Sequence, residues 1–111
     1  MAQDLKADII FQQTGEMVSV SDRIEVSEPQ KIDIKLEIMK TGKSGKASTV
    51  QGNSITAEPG KSYQSNHLAL ALQTGDKISA LLNLYINGKL VLTKERTFTF
   101  DPTTSKDQGK L

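Results

Sequence analysis

Residues 31–38 read Lys-Ile-Asp-Ile-Lys-Leu-Glu-Ile, so charged and apolar side chains alternate at every position. Successive side chains of a β-strand point to opposite faces, whereas a helix would distribute these charges around its whole circumference. The alternation therefore predicts a strand with one buried face and one solvated face. Such a strand belongs in a sheet that is packed on one side.

Six further β-prone segments accompany this strand, which we extend to residues 30–40. No segment longer than about 10 residues shows helical periodicity, and turn residues separate the apolar runs. Short strands at regular spacing predict an all-β chain, an immunoglobulin-like antiparallel β-sandwich of about seven strands. The other six predicted strands are residues 6–13, 16–24, 46–51, 66–73, 77–85 and 89–100.

Two of these segments carry sharper expectations. Residues 46–51 are short, polar and flanked by glycines, which is typical of an edge strand that avoids aggregation, and residues 54–65 read as a turn-rich connection. Asn87-Gly88 is a strong hairpin signal. For that hairpin we favour a three-residue loop over a two-residue turn, because the longer loop brings the leucines of both strands to one face. It sets Leu84 opposite Leu90 and Leu82 opposite Leu92, and it leaves Lys94 and Arg96 on the nominally inner face, where either a bulge or the end of the core is expected before Phe98 and Phe100.

The length of 111 residues predicts one domain over residues 1–100, followed by a polar C-terminal tail, residues 101–111, that we expect to be disordered. No apolar run approaches the roughly 20 residues of a membrane helix. The chain has no cysteine, which excludes disulfides, thiolate metal sites and thiol redox chemistry. The first residues lack the apolar core of a secretory signal, so the chain is either cytosolic or a mature form whose signal was removed.

The formal net charge of +1 conceals an uneven distribution. Residues 1–28 hold two basic and six acidic residues, residues 29–61 hold six lysines and three acidic residues, and the remainder holds six basic and four acidic residues. The three parts therefore carry net charges of −4, +3 and +2. A surface polarised in this way can steer a charged partner, although lysines are also the ordinary residues of a solubilising surface.

The chemistry-bearing motifs point away from an enzyme. Gly42-Lys43-Ser44 resembles the end of a phosphate-binding loop, but Glu37 stands where the first glycine would be needed and no helix follows. His67 is the sole histidine, and the acidic residues show no paired arrangement for acid–base catalysis. Nucleic-acid binding is disfavoured, because the lysine-rich region has no aromatic residue before Tyr63 on which bases could stack. We expect no catalytic residues, metal or cofactor.

The order of strands and turns nevertheless resembles a known family. The residues that carry the resemblance are the strand and loop over 31–45, Leu68-Ala-Leu-Ala-Leu72, Gly75-Asp-Lys-Ile78 and the Asn-Gly hairpin. They are similar to the curli assembly proteins of the CsgC and CsgH family over roughly residues 8–98. Enterobacterial members carry a Cys-x-Cys pair near the start of the third strand, where this chain has Gln30-Lys-Ile-Asp33. The chain is thus closer to the CsgH branch, and a redox role is excluded.

The resemblance implies a periplasmic immunoglobulin-like sandwich that acts as a chaperone-like inhibitor, keeping curli amyloid subunits from nucleating fibres. It also implies weak, electrostatically guided contacts between a basic surface and transient, disordered or early aggregated subunits. We expect a monomer whose signal peptide has been removed, with neither nucleic acid nor membrane as a partner. The alternative is a generic immunoglobulin-like accessory domain that binds a folded protein, its lysines being incidental. The candidate partner-binding residues are Lys31, Lys35, Lys40, Lys43, Lys46, Lys77, Lys94 and Arg96.

Overall fold

The computed structural model describes residues 5–43 and 45–100, which contain seven antiparallel strands. The predicted tail over residues 101–111 lies outside the described residues. No helix in the described ranges could cross a bilayer. The strands are β1 (Leu5–Thr14), β2 (Met17–Val26), β3 (Gln30–Gly42), β4 (Gly45–Ala57), β5 (His67–Ala71), β6 (Lys77–Ile86) and β7 (Lys89–Thr99).

The strands form two sheets, one with the order β1-β2-β5 and the other with the order β4-β3-β6-β7. The predicted all-β sandwich of about seven strands is therefore confirmed. β3 lies inside the larger sheet and pairs with β4 on one side and β6 on the other. The alternation over residues 31–38 appears directly in its burial, because the apolar side chains from Ile32 to Ile38 are at most 3% exposed while Lys31, Asp33 and Lys35 are exposed.

The core lies between the inner faces of the two sheets. β2 contributes the fully buried Val18 and Val20, and β6 contributes five buried inward residues, which are separated by half-buried ones. At one end of the core, Phe100 is 1% exposed, and its backbone exchanges hydrogen bonds with Gly75 and Asp76. Burial of these aliphatic side chains is the main contribution to stability, about 1.5–3 kcal/mol for each large one.

β4 is an edge strand, as predicted, but it has 13 residues and runs far past residue 51. The prediction that residues 54–65 form turns from their first residue is wrong, because residues 54–57 continue the ladder with β3. The second half of this strand has no strand pattern in the sequence, because Gly52 and the polar residues around it interrupt any alternation of apolar residues. Pairing with the strongly patterned β3 supplies the order that β4 lacks by itself, since strand propensity depends on its neighbours.

The β6–β7 hairpin also differs from the prediction. Its loop is a two-residue turn in which Asn87 and Gly88 have φ values of 53° and 77°, the signature of a type I′ turn, and Ile86 faces Lys89. Tyr85 is opposite Leu90 and Leu84 is opposite Leu92, so Val91 is the extra residue of a bulge. This bulge restores the inward face for Leu92. The predicted pairs Leu84–Leu90 and Leu82–Leu92 are wrong. The bulge, and not a longer loop, brings the leucines of β6 and β7 to one face.

A buried carboxylate positions β5. The Asp22 side chain on β2 is 1% exposed, and it accepts hydrogen bonds from the backbone N–H groups of Ser65 (2.7 Å) and Asn66 (3.2 Å). The Ser65 Oγ and Asn66 Nδ2 groups donate to its second oxygen over 3.1 and 2.9 Å. The backbone of Tyr63, two residues before Ser65, also exchanges hydrogen bonds with the backbone of Ile24 on β2. The connection that enters β5 is therefore held against β2 before the strand begins.

Leu36 and Leu82 face each other across β3 and β6 and are fully buried, whereas Leu70 on the edge strand β5 is half-buried. We expect Leu36→Ala and Leu82→Ala each to reduce the free energy of unfolding by about 2–5 kcal/mol. Leu70→Ala should cost roughly half as much, because solvent already reaches that side chain. Urea unfolding measures all three, and equal losses would contradict the placement of Leu70 at the rim of the core.

Replacing Asp22 by alanine should lower the free energy of unfolding by about 3 kcal/mol, because buried donors on Ser65 and Asn66 lose their acceptor. The matched control is Asp8→Ala, which removes an exposed carboxylate from the neighbouring strand and should change stability by less than about 0.5 kcal/mol. Hydrogen exchange of residues 65–71 should accelerate in the first variant. A stable Asp22 variant with unchanged exchange there would show that the carboxylate does not hold β5.

Candidate protein-binding surface

The eight predicted binding residues do not form one surface. Four of them, Lys31, Lys35, Lys46 and Lys77, lie on the outer face of the four-stranded sheet, since residues directly opposite each other in a ladder share a face. Lys43 lies in the turn between β3 and β4. The remaining three, Lys40, Lys94 and Arg96, have the inward parity of their strands.

Three of the lysines gather at one end of the larger sheet. Lys46 and Lys77 are each directly opposite Thr41, on the strands to either side of β3, so their Cα atoms are about 10 Å apart. Lys43 follows Thr41 by two residues in the adjoining turn, and all three lysines are exposed. We call Lys43, Lys46 and Lys77 the basic end.

A close approach of two strands shapes this end of the sheet. A Cβ atom at Gly42 would overlap the carboxylate of the buried Asp76, which accepts a hydrogen bond from the Gln73 backbone N–H (2.9 Å). Glycine at position 42 thus lets β3 pass directly beside the start of β6. This contact helps to bring Lys77 beside the β3–β4 turn.

Lys31 and Lys35 have different surroundings. They alternate with Asp33 and Glu37 on the same outer face of β3, so two positive and two negative charges share that row. Lys35 is also about 20 Å along the strand from Thr41, beyond the Debye length of about 8 Å at physiological salt. The middle of the outer face is therefore close to neutral, and the positive field is concentrated at the basic end.

Lys40 turns toward the other sheet. Its side chain is half-buried, and its Nζ donates a hydrogen bond to the backbone carbonyl of Ala71 on β5 over 3.3 Å. This contact places β5 over β3 and ties the two sheets together. Lys40 is the one predicted binding residue that bridges the layers at this edge.

Arg96 closes the opposite edge of the sandwich. Its Nη1 donates to the carbonyl of Ile9 on β1 over 2.7 Å, and its guanidinium carbon lies 5.6 Å from the centre of the Phe11 ring. Phe11 in turn packs on Phe98, with ring centres 5.4 Å apart. Lys94 has the same inward parity two residues earlier and is exposed. The Arg96 guanidinium thus holds β1 against β7 through its hydrogen bond to Ile9 and its cation–π contact with the Phe11 ring.

The outer face of the three-stranded sheet carries balanced charge. Arg23 and Glu25 form an ion pair over 3.2 Å, and Lys6 and Asp8 flank them on β1. The hydrogen bond from Ser62 Oγ lowers the pKa of the Glu25 carboxyl, Arg23 and Lys6 add to the effect, and desolvation opposes it. These exposed pairs contribute little to stability, and they leave no net charge on this face.

The described residues hold no cluster of possible metal ligands. Across residues 5–43 and 45–100, no three His, Asp or Glu side chains converge as possible metal ligands. His67 is the first residue of β5, and its side chain is exposed. Gly42 and Lys43 lie in a strand and a turn rather than before a helix.

The exposed inner part of β4 could not be predicted from the sequence, because it results from the offset of the two sheets. Gln51 and Thr49 lie opposite the buried Leu36 and Ile38 of β3, and Ala47 lies opposite the half-buried Lys40, yet these three inward positions of β4 remain exposed or half-buried. With three strands facing four, β5 lies over β3, and none of the strands within residues 5–43 and 45–100 covers this part of β4. We call this exposed inner part of β4, together with the adjacent edge of β5, the open side.

Comparison with known proteins adds a structural relationship. No protein-family model matches the sequence, and no curated protein sequence matches it. The solved structure of CsgH from R. palustris is similar with a TM-score of 0.66, at 17% identity, over 93% of this chain and 97% of that one. The E. coli curli protein CsgC gives a TM-score of 0.69 at 13% identity, over 86% of this chain and 98% of that one. A Bordetella pertussis protein named ApaA gives 0.62 at 11% identity, over 89% and 94%.

These matches span nearly the whole of both chains, and they agree with the strand order that the sequence resemblance indicated. Identities of 11–17% are those of a shared architecture, and they assign no activity. The chain has the fold of the CsgC and CsgH proteins.

Proposed function

We propose that this protein is a periplasmic, chaperone-like inhibitor of curli subunit nucleation that acts without catalysis and as a monomer. The observation that carries the proposal is the fold shared with CsgH and the curli protein CsgC along nearly the full length of each. The sequence resemblance over residues 8–98 supports the same conclusion. The periplasm is proposed as its location because the sequence resembles a family of curli assembly proteins, for which that compartment is implied.

The basic end is the part of the surface best suited to the first contact. Lys43, Lys46 and Lys77 are exposed, and among the described residues of the outer face the nearest carboxylate, that of Glu37, is four positions from Thr41, about 13 Å away. The buried Asp76 carboxylate beside Gly42 offsets part of their charge from within the fold. The three lysine charges still act together on an approaching acidic or polar segment. Long-range attraction of this kind raises the rate of encounter more than the strength of the complex.

Weak contact is sufficient for this task. Nucleation depends on rare early species, so a protein that repeatedly captures unfolded or newly aggregated subunits delays fibres without a stoichiometric complex. The lysine side chains remain solvated in such contacts, and each contributes about 0.2–1 kcal/mol. Added salt should reduce the inhibition, since the Debye length falls from about 10 Å at 0.1 M to about 3 Å at 1 M.

An accessory domain that binds a folded partner is the second candidate function. Leu90 and Val91 at the β6–β7 bulge favour it, because these neighbouring apolar side chains are 51% and 40% exposed. A folded partner would bury them in a defined interface. Replacing both by serine should abolish that binding and leave the delay of curli nucleation unchanged.

The basic end is tested by changing Lys43, Lys46 and Lys77 together to glutamine. The loss of three exposed charge contacts should weaken capture by about tenfold at low salt, so most of the nucleation delay disappears. Thioflavin-T fluorescence of a curli subunit at sub-stoichiometric inhibitor gives the delay. Thermal unfolding should be nearly unchanged, since none of the three side chains is buried.

The matched control changes Lys31, Lys35 and Lys89 to glutamine, which removes the same number of exposed positive charges from other places. We expect this variant to retain most of the delay. Equal losses in the two triple variants would show that net charge matters and the basic end does not. A parent protein that leaves nucleation unaffected would refute the proposed function itself.

A further inference from the structure

We infer that the open side is an acceptor for an added β-strand, which pairs with β5 and lies on the inner face of β4. The occupant is an extended segment of an unfolded polypeptide that is uncharged along its length and carries an acidic residue at one end. For the natural occupant, an unfolded curli subunit, the inference rests on the proposed function. The acceptor itself is argued from the geometry alone.

The edge of β5 offers unpaired backbone groups. The Leu72 N–H bonds the Glu16 carbonyl, and the Asp22 N–H bonds the Asn66 carbonyl, so the even-numbered residues of this strand face β2. Backbone groups alternate in direction along an antiparallel strand, so those of His67, Ala69 and Ala71 point away from β2. Among the described residues, the one bond to this edge is from Lys40 to the Ala71 carbonyl. A second strand can therefore pair there.

Apart from its short length of five residues, the edge of β5 carries none of the usual features that prevent pairing. His67 to Ala71 reads His-Leu-Ala-Leu-Ala, with no proline, lysine or carboxylate, and the strand is regular over its whole register with β2. The small side chains of Ala69 and Ala71 leave the outer face unobstructed. Leu68 and Leu70 point inward but are only half-buried, because no other described residue covers the side that faces away from β2.

β4 supplies a floor for the added strand. Thr49 and Gln51 lie opposite the buried Ile38 and Leu36, so they face the same layer as β5, and Ala47 continues the row. At the far end, Asn53 Nδ2 donates to the Ser65 carbonyl over 2.9 Å and closes the gap between the sheets. An added strand would thus lie between the Asn53 contact and the Lys40 contact, with alternate side chains against the floor.

The chemistry of the floor selects the occupant. Lys40 is the one ionisable side chain on the inward row of the described β3 and β4 residues. A charged side chain placed elsewhere on the floor would lose water without an opposite charge to replace it. Hydroxyl, amide and small apolar side chains match Thr49, Gln51 and the exposed sides of Leu68 and Leu70. An acidic residue fits beside Lys40.

The edge of β4 is a weaker candidate for the same role. It is long, but the backbone N–H of Ser54 on that edge is already bonded by the Asn53 side chain over 2.9 Å, and no second layer lies beneath the position of an added strand. Strand addition gains affinity from backbone hydrogen bonds and from pockets for alternate side chains. The open side provides the backbone groups of β5 and, on β4, a floor against which alternate side chains can pack.

The first test uses a short peptide, blocked at both ends, in which valine alternates with serine and one end is aspartate. NMR titration of the full chain should shift the amides of residues 67–71 and 47–51. Two derivatives N-methylated at alternate amides separate strand pairing from other contacts. One set should lose binding by about tenfold or more and the other should retain it, because alternate N–H groups face β5. Equal binding by both derivatives would overturn the inference.

The second test changes the floor without changing the charge. Thr49→Tyr places a large side chain in the open side, whereas the control Ser48→Tyr places the same group one residue away on the opposite face of β4. Both positions are exposed, so both variants should fold. We expect Thr49→Tyr to weaken peptide binding about tenfold and to shorten the delay of curli nucleation, while the control matches the parent.

The outcomes separate the two proposals. A parent protein that binds the peptide but does not delay nucleation refutes the proposed function and leaves the acceptor intact. If the parent protein binds no peptide, and Thr49→Tyr delays nucleation as long as the parent does, the acceptor is refuted and the proposed function stands. Dimers that form through residues 67–71, or peptide binding that requires removal of residues 101–111, would assign the open side to a second copy or to the chain's own tail and would overturn the inference.

Discussion

The whole structure depends on the two-sided pairing of β3. Its inward side chains from Ile32 to Ile38 are almost completely buried, while its backbone bonds β4 on one side and β6 on the other. A shift of one residue would place four charged side chains in the core, at a cost far above the few kcal/mol by which domains are stable. The register of β4 and β6 is thus set by one strand. β7 and the basic end take their positions from these neighbours.

Sequence patterns predicted the strands whose own residues alternate, and they were less informative where a neighbour supplies the order. β3 and β6 carry apolar residues at every second position, and both were located to within two residues at each end. β4 has a glycine and many hydroxyl side chains, so its second half is visible only in its pairing with β3. The bulge at Val91 was missed for a related reason. Nothing in Leu90-Val91-Leu92 says which residue is unpaired until the turn is fixed by positive φ at Asn87 and Gly88.

The candidate site was predictable in composition but not in arrangement. The lysine excess after residue 29 is evident in the sequence, but its division among faces follows from register and from the offset of the sheets. In the sequence, nothing distinguishes Lys40 and Arg96 from the other basic residues. In the fold, each bonds a backbone carbonyl of the other sheet, at opposite edges of the sandwich. Lys77 joins Lys46 although 31 residues separate them, because both flank Thr41.

The offset of three strands over four also separates two kinds of interaction. Charge attraction at the basic end acts over about a Debye length and tolerates any geometry of the approaching chain. Strand pairing along β5 acts at hydrogen-bond distance and requires an extended backbone. A partner that is unfolded can satisfy both in succession, first by its charge and then by its backbone, whereas a folded partner has already paired its own strands. Lys40 lies where the two regions meet. It is next to Thr41 on β3, beside the basic end, and its side chain donates a hydrogen bond to the edge of β5. The two proposed sites would together favour unfolded chains over folded ones, and the floor of the open side would select side chains by size and charge rather than by an exact sequence.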